Sequence, residues 1–267
     1  MDYENLLGDA GDIADKAGAA IMDIYRRDYE TVEKDDERES PLTEADTAAH
    51  EIMCAQLQAL TPEIPVLSEE SDDFDNRIDR EALWIIDPLD GTREFINQNG
   101  EFTVNIALVE HGQPVLGVVH APALGVTYSG LKDGGASRHK NGESTPITAQ
   151  SGSGNFKIVA SRSHRDQNSQ AFLDRFPEAE TTSIGSSLKL CLVAQGDATL
   201  YPRFAPTMEW DTAAGDAVVR AAGGGVYQLT GELLQYNKSD LYNPFFIATT
   251  SDAPPWRSKI PQALTEE

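Results

Sequence analysis

Apolar positions recur at helical spacing near the start of the chain. In "YENLLGDAGDIADKAGAAIMDIYRR", residues 3 to 27, Leu6, Ile13, Ala17, Ala20, Ile21 and Ile24 fall on one face and predict an amphipathic helix. The charged stretch "ETVEKDDERESP" reads as an exposed loop. "PLTEADTAAHEIMCAQLQAL" predicts a second helix with Ile52, Met53, Leu57 and Leu60 turned inward. "IPVLSEE" is then a short strand ending in acid. From residue 83 the pattern changes to strands, "LWIID" and "FTVNIALVEHGQPVLGVVHAP", the latter a hairpin turning at His111-Gly112. Further short strands run to "AQSGSGN", near residue 150, which reads as a domain junction. Beyond it strands and helices alternate, with helices expected near 167–176, 186–195 and 211–222, the last ended by Gly223 to Gly225. The expectation is an α+β half, residues 1–150, followed by an α/β half, residues 151–267.

Composition narrows the function. The chain of 267 residues carries 44 acidic against 21 basic side chains, a formal charge of −23. Such a field repels nucleic acid polymers, so no DNA or RNA partner is expected. It reads mainly as a solvated acidic surface, so chemistry must be sought by position. No segment has the roughly eighteen apolar residues of a membrane span, and the acidic N-terminus does not read as a signal peptide. Cys54 and Cys191, far apart and among apolar residues, do not read as a disulfide framework. A cytoplasmic protein is expected.

"WIIDPLDGTREF" concentrates the chemistry. Asp87 leaves an apolar strand; Pro88 fixes φ and lacks an N–H, suiting a sharp exit. Gly91 permits positive φ, and Thr92 is placed to cap a following turn. Asp87 and Asp90 would meet with a backbone carbonyl between them. Close carboxylates repel unless one is protonated or a cation lies between them, and such hard oxygen donors suit Mg²⁺. Alone, D-x-x-D also fits an Asx turn satisfying backbone amides. The haloacid-dehalogenase pattern D-x-D-G-T is one residue shorter. "SSLK" matches S-x-x-K of serine β-lactamases, but the companion S-D-N and K-T-G elements are missing. In the C-terminal half, Ser186 and Lys189 lie near an expected helix start, where N–H groups favour an anion. Arg203 in "YPRF" could grip phosphate bidentately.

Six ordered blocks carry a resemblance: "SPLTEAD", "PVLSEES", "WIIDPLDGTREFINQNGEFTVNIALVEHGQPVLGVVHAP", "ASRSH", "TTSIGSSLKLCLVAQGDATLYPRF" and "EWDTAAGDAVVRAAGG". Over roughly residues 5 to 247 the chain resembles the Mg²⁺-dependent, lithium-sensitive phosphatases of the inositol monophosphatase superfamily. Within it, the chain is most similar to bacterial 3'(2'),5'-bisphosphate nucleotidases of sulfate assimilation. The resemblance implies a layered αβαβα sandwich and two or three Mg²⁺ ions. It implies that Glu69 and Asp87 bridge the metals, the Leu89 carbonyl completes one site, and Asp90 and Asp211 hold the neighbouring ion. Asp46 and Thr92 would orient and deprotonate a metal-activated water. Glu69, Leu89, Asp90, Gly91, Thr92 and Asp211 would face the phosphate undergoing hydrolysis, and His164, Ser186, Lys189 and Arg203 the rest of the nucleotide. Arg93 stands where lysine is the commoner residue. The implied reaction is hydrolysis of the 3'-phosphate of adenosine 3',5'-bisphosphate to AMP. The alternatives are the same chemistry on an inositol or sugar phosphate, or a metal-binding regulatory protein without catalysis. The retained acidic set speaks against the last.

Overall fold

The computed structural model describes residues 1–27, 31–33, 41–71, 74, 77–78, 80–152, 156–161 and 167–264. Helix α1, Tyr3–Tyr25, is capped by the Asp2 side chain and buries Leu6, Ile13, Ala17, Ile21 and Ile24; Ala20 is half-buried. The expected loop after it contains a short strand, β1 (Thr31–Glu33), paired antiparallel with β2 (Pro41–Thr43). Three-residue strands are too short to leave a periodic signal. Extended β2 therefore delays the second helix, α2, to Glu44–Leu60, with Thr43 as its cap. Met53 and Leu57 are buried on α2, whereas Ile52 and Leu60 are half-buried.

Seven strands form the first sheet in sequence order: β3 (Val66–Ser68), β4 (Ala82–Asp90), β5 (Thr103–Glu110), β6 (Gln113–Ala121), β7 (Val126–Leu131), β8 (Gly135–Lys140) and β9 (Glu143–Ile147). Only β3 and β4 pair in parallel. The β5–β6 turn lies at His111 and Gly112, both with positive φ, as the sequence predicts. A five-residue helix, α3 (Thr92–Ile96), follows β4. The second sheet has the order β11-β10-β12-β14-β13, from β10 (Lys157–Ser161), β11 (Glu180–Ile184), β12 (Leu200–Arg203), β13 (Gly225–Gln228) and β14 (Phe246–Thr249). Its helices are α4 (Gln167–Leu173), α5 (Leu188–Ala194) and α6 (Glu209–Ala221). Gly223, at φ +92°, ends α6, while Gly225 already opens β13.

Alternation along β4 shows how the layers form. Trp84 and Ile86 join the cluster under α1 and α2, whereas Leu83 and Ile85 join residues of α5 and α6 on the opposite face. That second cluster also takes Val159, Tyr201, Val226 and Phe246 from the second sheet. On the far face of the second sheet, Ile158, Leu200 and Ile247 pack with Phe172 and Leu173 of α4. The result is the expected αβαβα sandwich. Helix α6 lies so close to β6 that a Cβ on Gly117 would come within 2.5 Å of the Ala214 carbonyl oxygen. That approach sets the helix whose first turn carries Asp211.

Candidate active site

Two parallel strand ends begin the site. Register aligns Ser68 with Ile86, so the next residues, Glu69 and Asp87, emerge side by side. In an unbroken strand Asp87 and Asp90, three apart, would point to opposite faces. The β4–β5 ladder instead skips a residue, pairing Asp87 with Asn105 and Asp90 with Thr103. This bulge, at Pro88-Leu89, resets the phase so that both aspartates line one cavity. Gly91 then adopts φ +92° at the cap of α3, where a side chain would be strained.

Thr92 does not cap α3, as the sequence suggested; Gly91 holds the cap position and Thr92 is the first helical residue. Its hydroxyl lies 3.2 Å from the Leu89 carbonyl oxygen and 3.4 Å from Asp46 Oδ1, with the donor able to serve either acceptor. Asp46 is buried behind Thr92. Its Oδ2 accepts from the Thr43 N–H at 2.9 Å, one half of a capping box for α2 whose other half is the Asp46 N–H donating to the Thr43 side chain, and also from the Thr43 hydroxyl at 2.5 Å. One carboxylate oxygen thus serves the fold, and the other faces Thr92.

Glu69, Asp87 and Asp211 each offer an oxygen, and these three atoms lie within 4.8 Å of one another. Asp87 is 1% exposed. Its Oδ1 accepts the Leu89 N–H at 3.1 Å, so the Asx turn does exist. Its Oδ2 is buried without a hydrogen-bond partner among the described residues. Burial, then the charges of Glu69, Asp90, Asp211 and Glu70, pushes its carboxyl well above the usual range. Burial and then Asp90 push Asp211 up to about 7, against the Met208 N–H, Arg203 and Lys189. A buried, unpartnered oxygen beside two more carboxylates fits a divalent cation better than it fits hydrogen bonding alone.

Asp90 stands apart from this trio. Its Oδ2 accepts from the Ser187 N–H at 2.5 Å and the Ser187 hydroxyl at 2.7 Å. An anion was expected at the start of α5, and that anion is the Asp90 carboxylate itself. Ser186, at φ +49°, precedes α5 and lines the cavity. Lys189 is buried; its ammonium donates to the Ser186 carbonyl at 2.6 Å, and burial together with Arg203 lowers it to about 8 against the pull of Asp90. Arg203 donates to the Pro206 carbonyl at 3.1 Å, and its Nε is buried without a hydrogen-bond partner among the described residues. His164 lies outside the described residues. Apart from His164 and the recessed Asp46, every candidate residue lines the same cavity of about 540 Å³.

Sequence reasoning missed Ser187 and Asn105. Asn105 Nδ2 donates to Ser187 Oγ at 2.9 Å. A polar residue inside the apolar run "FTVNIAL" was the available signal, since a buried amide needs partners.

The inositol monophosphatase family profile matches residues 2–258. The chain belongs to the inositol monophosphatase family. It is 48% identical over 238 residues to the 3'(2'),5'-bisphosphate nucleotidase CysQ of Escherichia coli K12, covering 88% of this chain and 95% of that one. It is 34% identical over 263 residues to the protein of the same name from Haemophilus influenzae, covering 96% of each. The crystal structure of CysQ from Bacteroides thetaiotaomicron superposes with a TM-score of 0.84 at 42% identity, covering 93% of this chain and 98% of that one. An inositol monophosphatase from Zymomonas mobilis superposes with a TM-score of 0.77 at 27% identity, covering 97% of this family member and 99% of that one. Both the family and the fold expected from the six blocks are therefore borne out. Among the described residues no helix is long and apolar enough to cross a membrane.

Proposed function

We propose that this chain is a Mg²⁺-dependent 3'(2'),5'-bisphosphate nucleotidase, hydrolysing the 3'-phosphate of adenosine 3',5'-bisphosphate to leave AMP and phosphate. The observation that carries the reading is the partition of one cavity into an acidic trio, Glu69, Asp87 and Asp211, and a basic pair, Lys189 and Arg203. The names of the relatives at 48% identity support the nucleotide over an inositol phosphate. Glu69, Asp87 and Asp211 would hold one Mg²⁺, with the Leu89 carbonyl and the remaining oxygen of Asp90 extending the donor set to a second. When bound, Mg²⁺ supplies positive charge that polarises the phosphoryl group and offsets charge developing on the leaving oxygen. Thr92 Oγ1 accepts a proton from the attacking water as its own passes to Asp46 Oδ1, the oxygen that faces it at 3.4 Å. Lys189 and Arg203 bind the phosphate that is not hydrolysed.

Phosphate release from adenosine 3',5'-bisphosphate, beside inositol 1-phosphate and with or without Mg²⁺, tests the assignment. Faster Mg²⁺-dependent release from the inositol ester would replace it with the alternative reading. Arg203→Ala is expected to lower kcat/KM on the bisphosphate about 10- to 100-fold, the scale of one charge-assisted hydrogen bond. Inositol 1-phosphate, with no second phosphate to hold, should change much less; equal losses would remove Arg203 from specificity.

Metal and pH are linked through the same carboxylates. A folded-state value raised from 3.8 to about 7 at Asp211, with Asp87 raised too, means that the native metal-free protein holds these protons longer than the unfolded chain. That contribution to stability is present below the unfolded value and is lost as pH rises through the folded one. The melting temperature gained on adding Mg²⁺ to chelator-treated protein should therefore grow between about pH 4 and pH 7. An equal gain at both ends of that window would count against these carboxylates as the ligands.

A further inference from the structure

We infer that Tyr242 is the stacking platform for the nucleobase of the substrate, an assignment that deepens the proposed function and rests on its choice of a nucleotide. Four aromatic side chains line the cavity: Tyr201, Trp210, Tyr242 and Phe246. Tyr201, Trp210 and Phe246 are 4%, 2% and 1% exposed and belong to the central core cluster, so none offers a free face. Tyr242 is 44% exposed. Among the described residues its ring packs in no aromatic pair and its hydroxyl has no hydrogen-bond partner.

The backbone that carries the ring is nonetheless held in place. Tyr242 forms an antiparallel bridge with Met208. On one side the Leu241 carbonyl accepts the Glu209 N–H at 3.0 Å, and on the other the Asn243 N–H donates to the Thr207 carbonyl at 2.8 Å. The buried Asn243 amide adds a 2.7 Å bond to the Met208 carbonyl. Met208 N–H in turn donates to Asp211 Oδ2 at 2.7 Å. The exposed ring is thus tied through one residue to the acidic trio. Arg203, bonded to the Pro206 carbonyl, flanks the same segment.

A nucleoside bisphosphate presents phosphates and one flat, weakly hydrated base. Its phosphates match the acidic end, through cations, and the basic pair. The base needs a π-face, and an unpartnered aromatic ring at the same cavity supplies one without demanding a particular hydrogen-bonding edge. An inositol phosphate has no group that gains from such a surface.

Calorimetric titration of the Mg²⁺-loaded protein with AMP and with ribose 5-phosphate isolates the base. The wild type is expected to prefer AMP by about tenfold or more, the lower range of base–aromatic stacking. Tyr242→Ala should lose that preference while binding ribose 5-phosphate as before, and Tyr242→Phe should keep it. Because the ring is exposed and makes no hydrogen bond, both variants should melt with the wild type. No preference for AMP in the wild type, or an undiminished preference in Tyr242→Ala, would overturn the assignment. Hydrolysis assays separate the two readings. A bisphosphatase without base preference retains the proposed function and loses the platform. Tyr242-dependent AMP binding without 3'-phosphate hydrolysis supports the platform and overturns the reaction.

Discussion

Asp87→Asn is expected to lower Mg²⁺-dependent phosphate release by at least about 10³-fold, roughly 4 kcal/mol of transition-state stabilisation. It should also raise the melting temperature of the metal-free protein wherever the Asp87 carboxylate would otherwise be ionised. Both effects have one origin. Asp87 Oδ2 is buried without a hydrogen-bond partner among the described residues, and its charge is opposed by desolvation and by Glu69, Asp90 and Asp211. Asparagine keeps the Oδ1 acceptor that closes the Asx turn on Leu89, so the β4 bulge should survive. What it removes is the charge. Without metal that charge is a burden on the fold; with metal it is a ligand. Phosphate release and thermal unfolding, each with and without Mg²⁺, check the pair. Activity within tenfold of wild type, or an undiminished Mg²⁺-induced rise in melting temperature, would exclude Asp87 as a ligand.

Thr92→Val should lower kcat by at least about 10²-fold, the scale of general-base assistance, with KM little changed. The substitution preserves shape and β-branching at the first position of α3. It deletes only the hydroxyl lying between Asp46 Oδ1 and the Leu89 carbonyl oxygen. Asp46 would keep its two bonds from Thr43, so the cap of α2 should persist. The Mg²⁺-induced stabilisation should also persist, because Thr92 is outside the acidic trio. That retention distinguishes a lost proton path from a damaged metal site. A large rise in KM with normal kcat would move Thr92 from water activation to substrate binding.

The legible parts of this molecule are local in sequence. Helix α1 follows from apolar spacing and β4 from the run "LWII"; the β5–β6 turn follows from a glycine after a polar residue. Strand β1 was lost in charged surroundings because three residues carry no period. Thr92 opens α3 rather than capping it, and a threonine after glycine fits either position equally well in sequence. Ser187 was passed over beside Ser186 and Lys189, although its N–H and hydroxyl are what hold Asp90.

By itself, the order of residues determined the alternation that builds the two faces of the first sheet, the acids that end β3 and β4, and membership of the family. These rest on neighbours two to four positions apart, or on ordered blocks, and both are written in the chain. Tertiary structure alone decided which acids meet. Asp90 and Ser187, 97 positions apart, bond because α5 packs on α6, which lies against β4 and β5. Asp211 joins Glu69 and Asp87 because α6 lies against Gly117 of β6, where an added Cβ would meet the Ala214 carbonyl oxygen. Tyr242 reaches the cavity because Asn243 pins its loop to Thr207 and Met208. Such contacts depend on packing between segments far apart in the chain, and no local period encodes them.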